Sequence, residues 1–485
     1  MEDEVARFGR LFQAFMERMT QAAAAAQDSP VRDRLDRHLG VDHSTLPVLS
    51  QSFAPYDHVN VQVALTAYLH AEGRSYELVG LTGQQRHFES LSDLVQMANG
   101  MGIGIGSVDL VNLPVSPDKT LACVQFGLFL VRDHGVPLIV LMRGPTEFGP
   151  QQMVTLEVLS PAQDRASGLL AEVRRLLIER NVFRQQVISL GESDMGQTGL
   201  GPVVFHRRPA LARDALVLPQ GALDLVERQV LGIARQRDRL RASGQHVKRG
   251  LLLYGPPGNG KTLTVRYIVS QAPDHTVILL TGGALGLVGP ACALARMLEP
   301  ALVVLEDVDL VAEERGMFGQ DSNPVLFDLL NQMDGMEEDA DVVFVLTTNR
   351  ADVLEPALAA RPGRVDLAVE VGLPGADARR RLIRLYGRGL DLQIEDLEAI
   401  VTRTAGVAAS FVKELMRRAA LLAAQEPDGS GRLTVTDKHL QEALAELLDQ
   451  SSMLARRLLG GPNSEEPERQ LDAEWLIDGT SESDS

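Results

Sequence analysis

The run Gly255-Pro256-Pro257-Gly258-Asn259-Gly260-Lys261-Thr262 constrains this chain more than any other feature. It fits the pattern G-x-x-x-x-G-K-[ST], in which a glycine-rich loop wraps phosphate oxygens with its backbone N–H groups. A chance match in a chain of this length has a probability on the order of one per cent. The context is also the required one. Leu251-Leu252-Leu253-Tyr254 is an apolar strand leading into the loop, and Leu263 to Ala272 has helical character. The positive end of that helix adds to anion binding. Lys261 is expected to reach the β- and γ-phosphates as a point charge, and Thr262 to place its hydroxyl on Mg²⁺. Nucleotide contacts are expected from Gly255 through Leu263.

A phosphate loop alone binds; hydrolysis needs acidic, water-orienting and cationic groups as well. Ala301-Leu302-Val303-Val304-Leu305 is an apolar strand that ends in Glu306-Asp307-Val308-Asp309. In open parallel sheets ligands sit at such carboxyl ends. A further strand, Val342 to Leu346, ends in Thr347-Thr348-Asn349, where an amide would hold a water or touch the γ-phosphate. Arg361 and Arg364 follow on a Pro-Gly turn. They read either as a surface salt-bridging pair or as cations presented to a neighbouring subunit's γ-phosphate.

With those residues in hand, residues from about 215 to 450 resemble a classical-clade AAA ATPase. The order of phosphate loop, acidic strand, Thr347-Thr348-Asn349-Arg350 and Arg361-Pro362-Gly363-Arg364 is specific to that clade, and Leu329 to Gly335 adds to it. The resemblance implies a hexameric ring with ATP between subunits. Arg361 and Arg364 then match arginine fingers acting in trans, and Asn349 matches the sensor asparagine. Thr404 to Ser410 is similar to the lid motif over the nucleotide. The catalytic set is therefore Glu306, Asp307, Asn349, Arg361 and Arg364, with Thr262 and Glu306 on the metal.

Several positions depart from the family. The usual Asp-Glu order is reversed here, so Glu306 takes the magnesium-side role and Asp307, one methylene shorter than glutamate, the water-polarising role. One alanine, Ala359 or Ala360, is extra before Arg361, and the lid reads Ala409-Ser410-Phe411. Where the family often carries an aromatic-hydrophobic-glycine pore loop, this chain has Leu287-Val288-Gly289. A second pore-facing candidate is Arg315 to Gly319.

The expected fold class is α/β: a phosphate-loop parallel sheet flanked by helices, a small helical lid, and a mixed α/β domain in front. The domain plan is 1–200 for client or partner binding, 201–373 for the ATPase core, 374–460 for the lid and 461–485 for an acidic tail. Residues 1 to about 30 have helical spacing. Ser75–Leu81, Val108–Leu113, Gly127–Val131, Val136–Met142 and Met153–Leu159 read as strands, with a hairpin turn at Asp133-His134-Gly135. Pro161–Arg180 reads as an amphipathic helix, Val187–Leu190 as a strand closing the first sheet, and Gly191–Gly201 as a linker. A charged helix is expected over 222–242, and a helical region from Pro374 broken near Pro427-Asp428-Gly429. Trp475-Leu476-Ile477 is an apolar island in the tail. His38, His43, His58, His70, His87 and His134 lack metal-ligand spacing and read as surface or core histidines.

The formal net charge of −18 argues against nucleic acid and anionic membranes as partners. No apolar run approaches the ~18 residues of a membrane span, and the start is not a signal peptide. Cys123 and Cys292 read as buried reduced thiols, giving a cytoplasmic address. There is no His-Glu-x-x-His, which disfavours a zinc protease. The leading expectation is an ATP-driven remodeller of a protein client, working as a homo-oligomeric ring with ATP and Mg²⁺. The alternative is a nucleotide-gated scaffold with little turnover.

Overall fold

The computed structural model describes residues 30–82, 90–97, 104–146, 152–192, 200–309, 331–333, 335, 337, 340–350, 365–426 and 431–449. The expected N-terminal helix up to residue 29, His87, the 315–319 loop, Arg361, Arg364, the break at 427–429 and the Trp475 island lie outside the described residues. The chain divides into two compact units. One takes in residues 1–211, 226–253 and 265–368, the other residues 212–225, 254–264 and 369–485.

The first unit holds two sheets. The N-terminal sheet consists of β1 (Val48–Phe53), β2 (Arg74–Leu81), β3 (Ile105–Gly106), β4 (Asp109–Ser116), β5 (Lys119–Asp133), β6 (Val136–Arg143) and β7 (Val154–Leu159). Their order is β1-β7-β6-β5-β2-β3, with β4 also on β5. The β5–β6 turn is the one expected: His134 and Gly135 both have positive φ, 48° and 86°, as a two-residue hairpin turn requires. Alternate residues of β5 and β6 serve opposite faces. Phe129, Val131, Leu138, Val140 and Met142 pack beneath helices His58–Leu69 and Gln163–Glu179. Leu128, Leu130, Ile139 and Leu141 pack with Val31, Leu35, Leu91 and Leu94 of two further helices. Burial on both faces explains why these strands read as unbroken apolar runs.

The second sheet has the order β14-β10-β13-β12-β11-β8-β9. Its strands are β8 (Val187–Glu192), β9 (Leu200–His206), β10 (Arg249–Tyr254), β11 (Thr276–Thr281), β12 (Ala301–Glu306), β13 (Val342–Thr348) and β14 (Leu367–Glu370). β8, β11, β12 and β13 pair in parallel, and β9 returns antiparallel on β8.

This corrects two sequence expectations. Val187–Leu190 does not close the first sheet; Val187 lies opposite Val277 of β11. Nor is Gly191–Gly201 simply a linker, since its two described ends are strand. The segment between helix and β8 shows why. Val182 N donates to Asn60 Oδ1 at 2.9 Å, and the Arg184 guanidinium donates to the carbonyls of Ile178, Met297 and Glu299. Gln185 N donates to Thr276 Oγ1 at 3.0 Å, which delivers the chain to the edge of β11. These polar bonds between distant residues leave no local mark in the sequence. The charged helix over 222–242 is present, with a π-helical turn at Glu227–Gly232.

The second unit packs helices Ala376–Tyr386, Leu397–Arg403, Ala409–Gln425 and Asp437–Asp449 around Leu382, Ile383, Phe411, Leu415, Leu440 and Leu444. A short parallel pair, β15 (Asp391–Gln393) with β16 (Thr434–Thr436), was not legible in the helical pattern. Among the described residues no helix is long and apolar enough to cross a membrane. Both cysteines are free and buried, and burial pushes each thiol up to about 11.

Candidate nucleotide site

The phosphate loop belongs to the second unit. Strand β10 ends at Tyr254, and a helix begins at Lys261. Gly255, Gly258 and Gly260 between them all take positive φ. Two of these glycines are required by close approach as well. A Cβ on Gly255 would stand 2.5 Å from the Val371 carbonyl oxygen, and one on Gly258 would stand 2.2 Å from Ser410 Oγ. Lys261 is buried, and its ammonium donates to the carbonyls of Gly255 and Pro256 at 2.7 and 3.0 Å. These bonds hold the positive charge against the loop's own curl. Thr262 is exposed on the first turn of the helix.

The lid motif meets this loop directly. The helix Ala409–Gln425 follows Ala408, which has no side-chain cap to offer. Its first N–H groups need acceptors all the same. Asn259 Oδ1 accepts from Ala409 N at 3.1 Å, and the Gly258 carbonyl accepts from Ser410 N at 2.9 Å. Asn259 Nδ2 in turn donates to Pro256 O at 3.3 Å. The departure Ala409-Ser410 is thus accommodated: the loop caps the helix. Beside Asn259 lies an apolar cavity lined by Val217, Leu218, Leu373, Pro374 and Ala378 among others. Sequence reasoning missed these residues; the apolar stretch Leu216-Val217-Leu218-Pro219 was the available signal.

The acidic cluster belongs to the first unit. Strands β12 and β13 run in parallel with Leu305 opposite Leu346, so both end at one level. Glu306 is half-buried at the end of β12. Asp307 turns into the left-handed region with φ 51°, and its N–H donates to Thr347 Oγ1 at 3.0 Å. Asp309 is buried. Its Oδ1 accepts from Thr348 Oγ1 at 2.9 Å and from Asn349 N at 3.1 Å, and its Oδ2 from Asn349 Nδ2 at 3.4 Å. Asn349 Nδ2 also stands 3.5 Å from Asp307 Oδ1. Asp307 and Asn349 lie together at this end of the sheet, with Asp309 beside them.

Thr262 and Glu306 supply hard oxygen donors, the kind that Mg²⁺ takes, so these residue types fit the ion. Leu287-Val288-Gly289 is not a projecting loop. It is the junction of the turn Gly282–Leu287 with the helix Val288–Met297. Val288 is buried, because apolar burial outweighs display, and the segment's exposed positions are Gly282, Gly283 and Gly286. Of the histidines, His38 and His58 bond to backbone carbonyls, and His43 Nδ1 bonds to Asp36 at 2.6 Å.

Residues 251–373 match the family described as "ATPase family associated with various cellular activities (AAA)". The chain is 35% identical over 239 residues to the "ATP-dependent zinc metalloprotease FtsH 2" of Sphaerobacter thermophilus, covering 47% of this chain and 36% of that protein. It is 27% identical over 393 residues to "ATP-dependent zinc metalloprotease FtsH 4" of the same organism, covering 77% of this chain and 58% of that one. A Thermus thermophilus "ATP-dependent zinc metalloprotease FtsH" is 33% identical over 229 residues, covering 44% of this chain and 36% of its own length. The chain thus spans 36% to 58% of these relatives. Phosphate loop, parallel sheet and family match agree, and the chain carries an AAA ATPase domain over residues 251–373.

Proposed function

We propose that this chain hydrolyses Mg-ATP and uses the cycle to remodel a protein client, working as a homo-oligomeric, hexameric ring in the cytoplasm. The observation that carries the reading is the direct bonding of the phosphate loop to the lid helix, Asn259 to Ala409 and Gly258 to Ser410. A loop that shifts as it binds or releases phosphate pulls on that helix without an intermediary. Energy released at the phosphates thereby becomes movement of a lid.

The roles follow from the chemistry of each group. Lys261 and the loop amides hold the phosphates. Thr262 and Glu306 steady Mg²⁺, which offsets charge on the phosphate oxygens when bound. Asp307 polarises water, and Asn349 orients it. Arg361 and Arg364 act in trans on a neighbour's nucleotide. Residues 1–200 select the client, and 374–460 form the lid. The zinc-metalloprotease activity named for the relatives is not carried over, since this sequence holds no His-Glu-x-x-His.

A second reading, a nucleotide-gated scaffold with little turnover, draws on Asp307 being shorter than glutamate and on the exposed glycines of 282–286, which offer no side chain to grip a client. The deciding measurement is phosphate release by the purified chain with Mg-ATP, alongside its size with and without nucleotide. Turnover that disappears in Lys261→Ala and Glu306→Gln supports the first reading. Mg-ATP binding without phosphate release selects the scaffold, and no Mg-ATP binding sinks both.

A further inference from the structure

Asp309 has no role in the hydrolytic set described above, yet it is tied to the end of β13 by hydrogen bonds from Thr348 and Asn349. Its carboxylate is buried and receives three hydrogen bonds from two consecutive residues, Thr348 and Asn349. A buried carboxylate is costly unless such bonds compensate it. The bonding is also directional. Arg350 N donates to Thr348 Oγ1 at 2.9 Å, which leaves that hydroxyl's proton for Asp309 Oδ1.

The consequence falls on Asn349. An amide has one donor end and one acceptor end, and a carboxylate accepts only. Asn349 Nδ2 lies near two carboxylates, Asp309 Oδ2 at 3.4 Å and Asp307 Oδ1 at 3.5 Å. Turning the amide over would set its oxygen against both. Asp309 therefore fixes which end of Asn349 is presented. The end turned away from the carboxylates is the carbonyl oxygen Oδ1, an acceptor. An acceptor takes a hydrogen bond from water; it does not donate to a phosphate oxygen.

We propose that Asp309 is the positioning residue of the hydrolytic site: it orients Asn349 so that the amide oxygen, not its nitrogen, faces the reacting water. This rests on the reading of the chain as an ATP hydrolase. Asp309 touches no reacting group and acts through Asn349 and the neighbouring Asp307.

Asp309→Asn tests the idea selectively. The new side chain keeps an oxygen for Thr348 Oγ1 and Asn349 N but sets its own Nδ2 against that of Asn349, which drives the amide to turn. Steady-state hydrolysis should show kcat lower by about 10²-fold, the scale of a misplaced general-base partner. KM for Mg-ATP should stay within ~3-fold, because binding rests on the phosphate loop. In an Asn349→Ala background the same change should add less than ~3-fold, since the two residues act as a unit.

Unchanged kcat, a loss confined to KM, or a full 10²-fold loss on top of Asn349→Ala would each overturn the proposal. Should Asp309→Asn lose its cooperative unfolding transition, Asp309→Glu keeps the charge and displaces the carboxylate by one methylene. It should reproduce the kcat loss, and wild-type kcat in it overturns the proposal equally. Absence of hydrolysis by the wild-type chain removes the parent reading and this inference together. Hydrolysis by wild type with a silent Asp309→Asn removes this inference alone.

Discussion

Asn259 caps a helix to which it is not locally joined: its Oδ1 accepts from Ala409 N at 3.1 Å, across 150 positions of sequence. The same residue sits inside the phosphate-binding loop, so one side chain serves both the loop's shape and the lid's start. Asn259→Ala should lose the cap, at about 1 kcal/mol, and also weaken Mg-ATP binding. Asn259→Asp keeps the acceptor but sets a negative charge beside the phosphates. Urea denaturation should therefore find Asn259→Asp more stable than Asn259→Ala, while nucleotide titration should find it the weaker binder.

Lys261 and Glu306 should separate binding from turnover. The Lys261 ammonium is buried against the loop carbonyls and is the loop's positive charge. Lys261→Ala should abolish measurable Mg-ATP binding by calorimetry. Glu306→Gln should retain nucleotide but lower kcat by ~10²-fold or more, as losses of a positioned charge at a reacting phosphate do. Equal loss of binding in both variants would contradict the division of labour.

Asp307 occupies a left-handed backbone, φ 51°, which aspartate tolerates better than longer side chains do. Asp307→Glu should extend the reach of the carboxylate and raise kcat, while lowering stability by up to about 1 kcal/mol. Asp307→Gly should fold at least as well as wild type and hydrolyse nothing. Phosphate release and thermal unfolding on the same three proteins check both statements.

Two buried groups give opposite pH dependences. Burial, followed by the Arg237 charge, pushes His275 from 6.5 down to about 4. The folded chain keeps it neutral, and the unfolded chain protonates it below 6.5. Its contribution is thus present above 6.5 and is lost as pH falls toward 4. Burial pushes Asp57 from 3.8 up to about 6, against an opposing bond from Asn60. The folded chain keeps Asp57 protonated while the unfolded chain ionises it, so this contribution is lost as pH rises from 3.8 to 6. Each slope is at most ~1.4 kcal/mol per pH unit, and between pH 4 and 6 they oppose each other. His275→Gln should make stability fall more steeply than wild type as pH rises through that interval. Asp57→Asn should make it rise more steeply. Urea midpoints across the interval read the difference, and identical profiles for the two variants would refute it.

The phosphate loop was legible because its chemistry is contiguous: Gly255, Gly258, Gly260, Lys261 and Thr262 must be neighbours in the chain to be neighbours around a phosphate. The strands ending at Glu306 and Asn349 were legible because a buried parallel strand advertises itself as an apolar run. The helix Gln163–Glu179 was legible through its spacing, and Leu169, Leu170, Val173, Leu176 and Leu177 are indeed its buried face. Strand Val187–Leu190 was legible as a strand but not as to its sheet. An apolar run states that it will be buried, not against what.

What the sequence determined by itself is therefore the set of chemical groups and the local elements that carry them. Tertiary structure alone decided three things: that β8 and β9 extend the second sheet, that Val288 is core and not display, and that Asp309 holds Asn349. Each depends on hydrogen bonds or burial between residues far apart along the chain. Such contacts are chosen by packing and the satisfaction of buried polar groups, which no local pattern encodes.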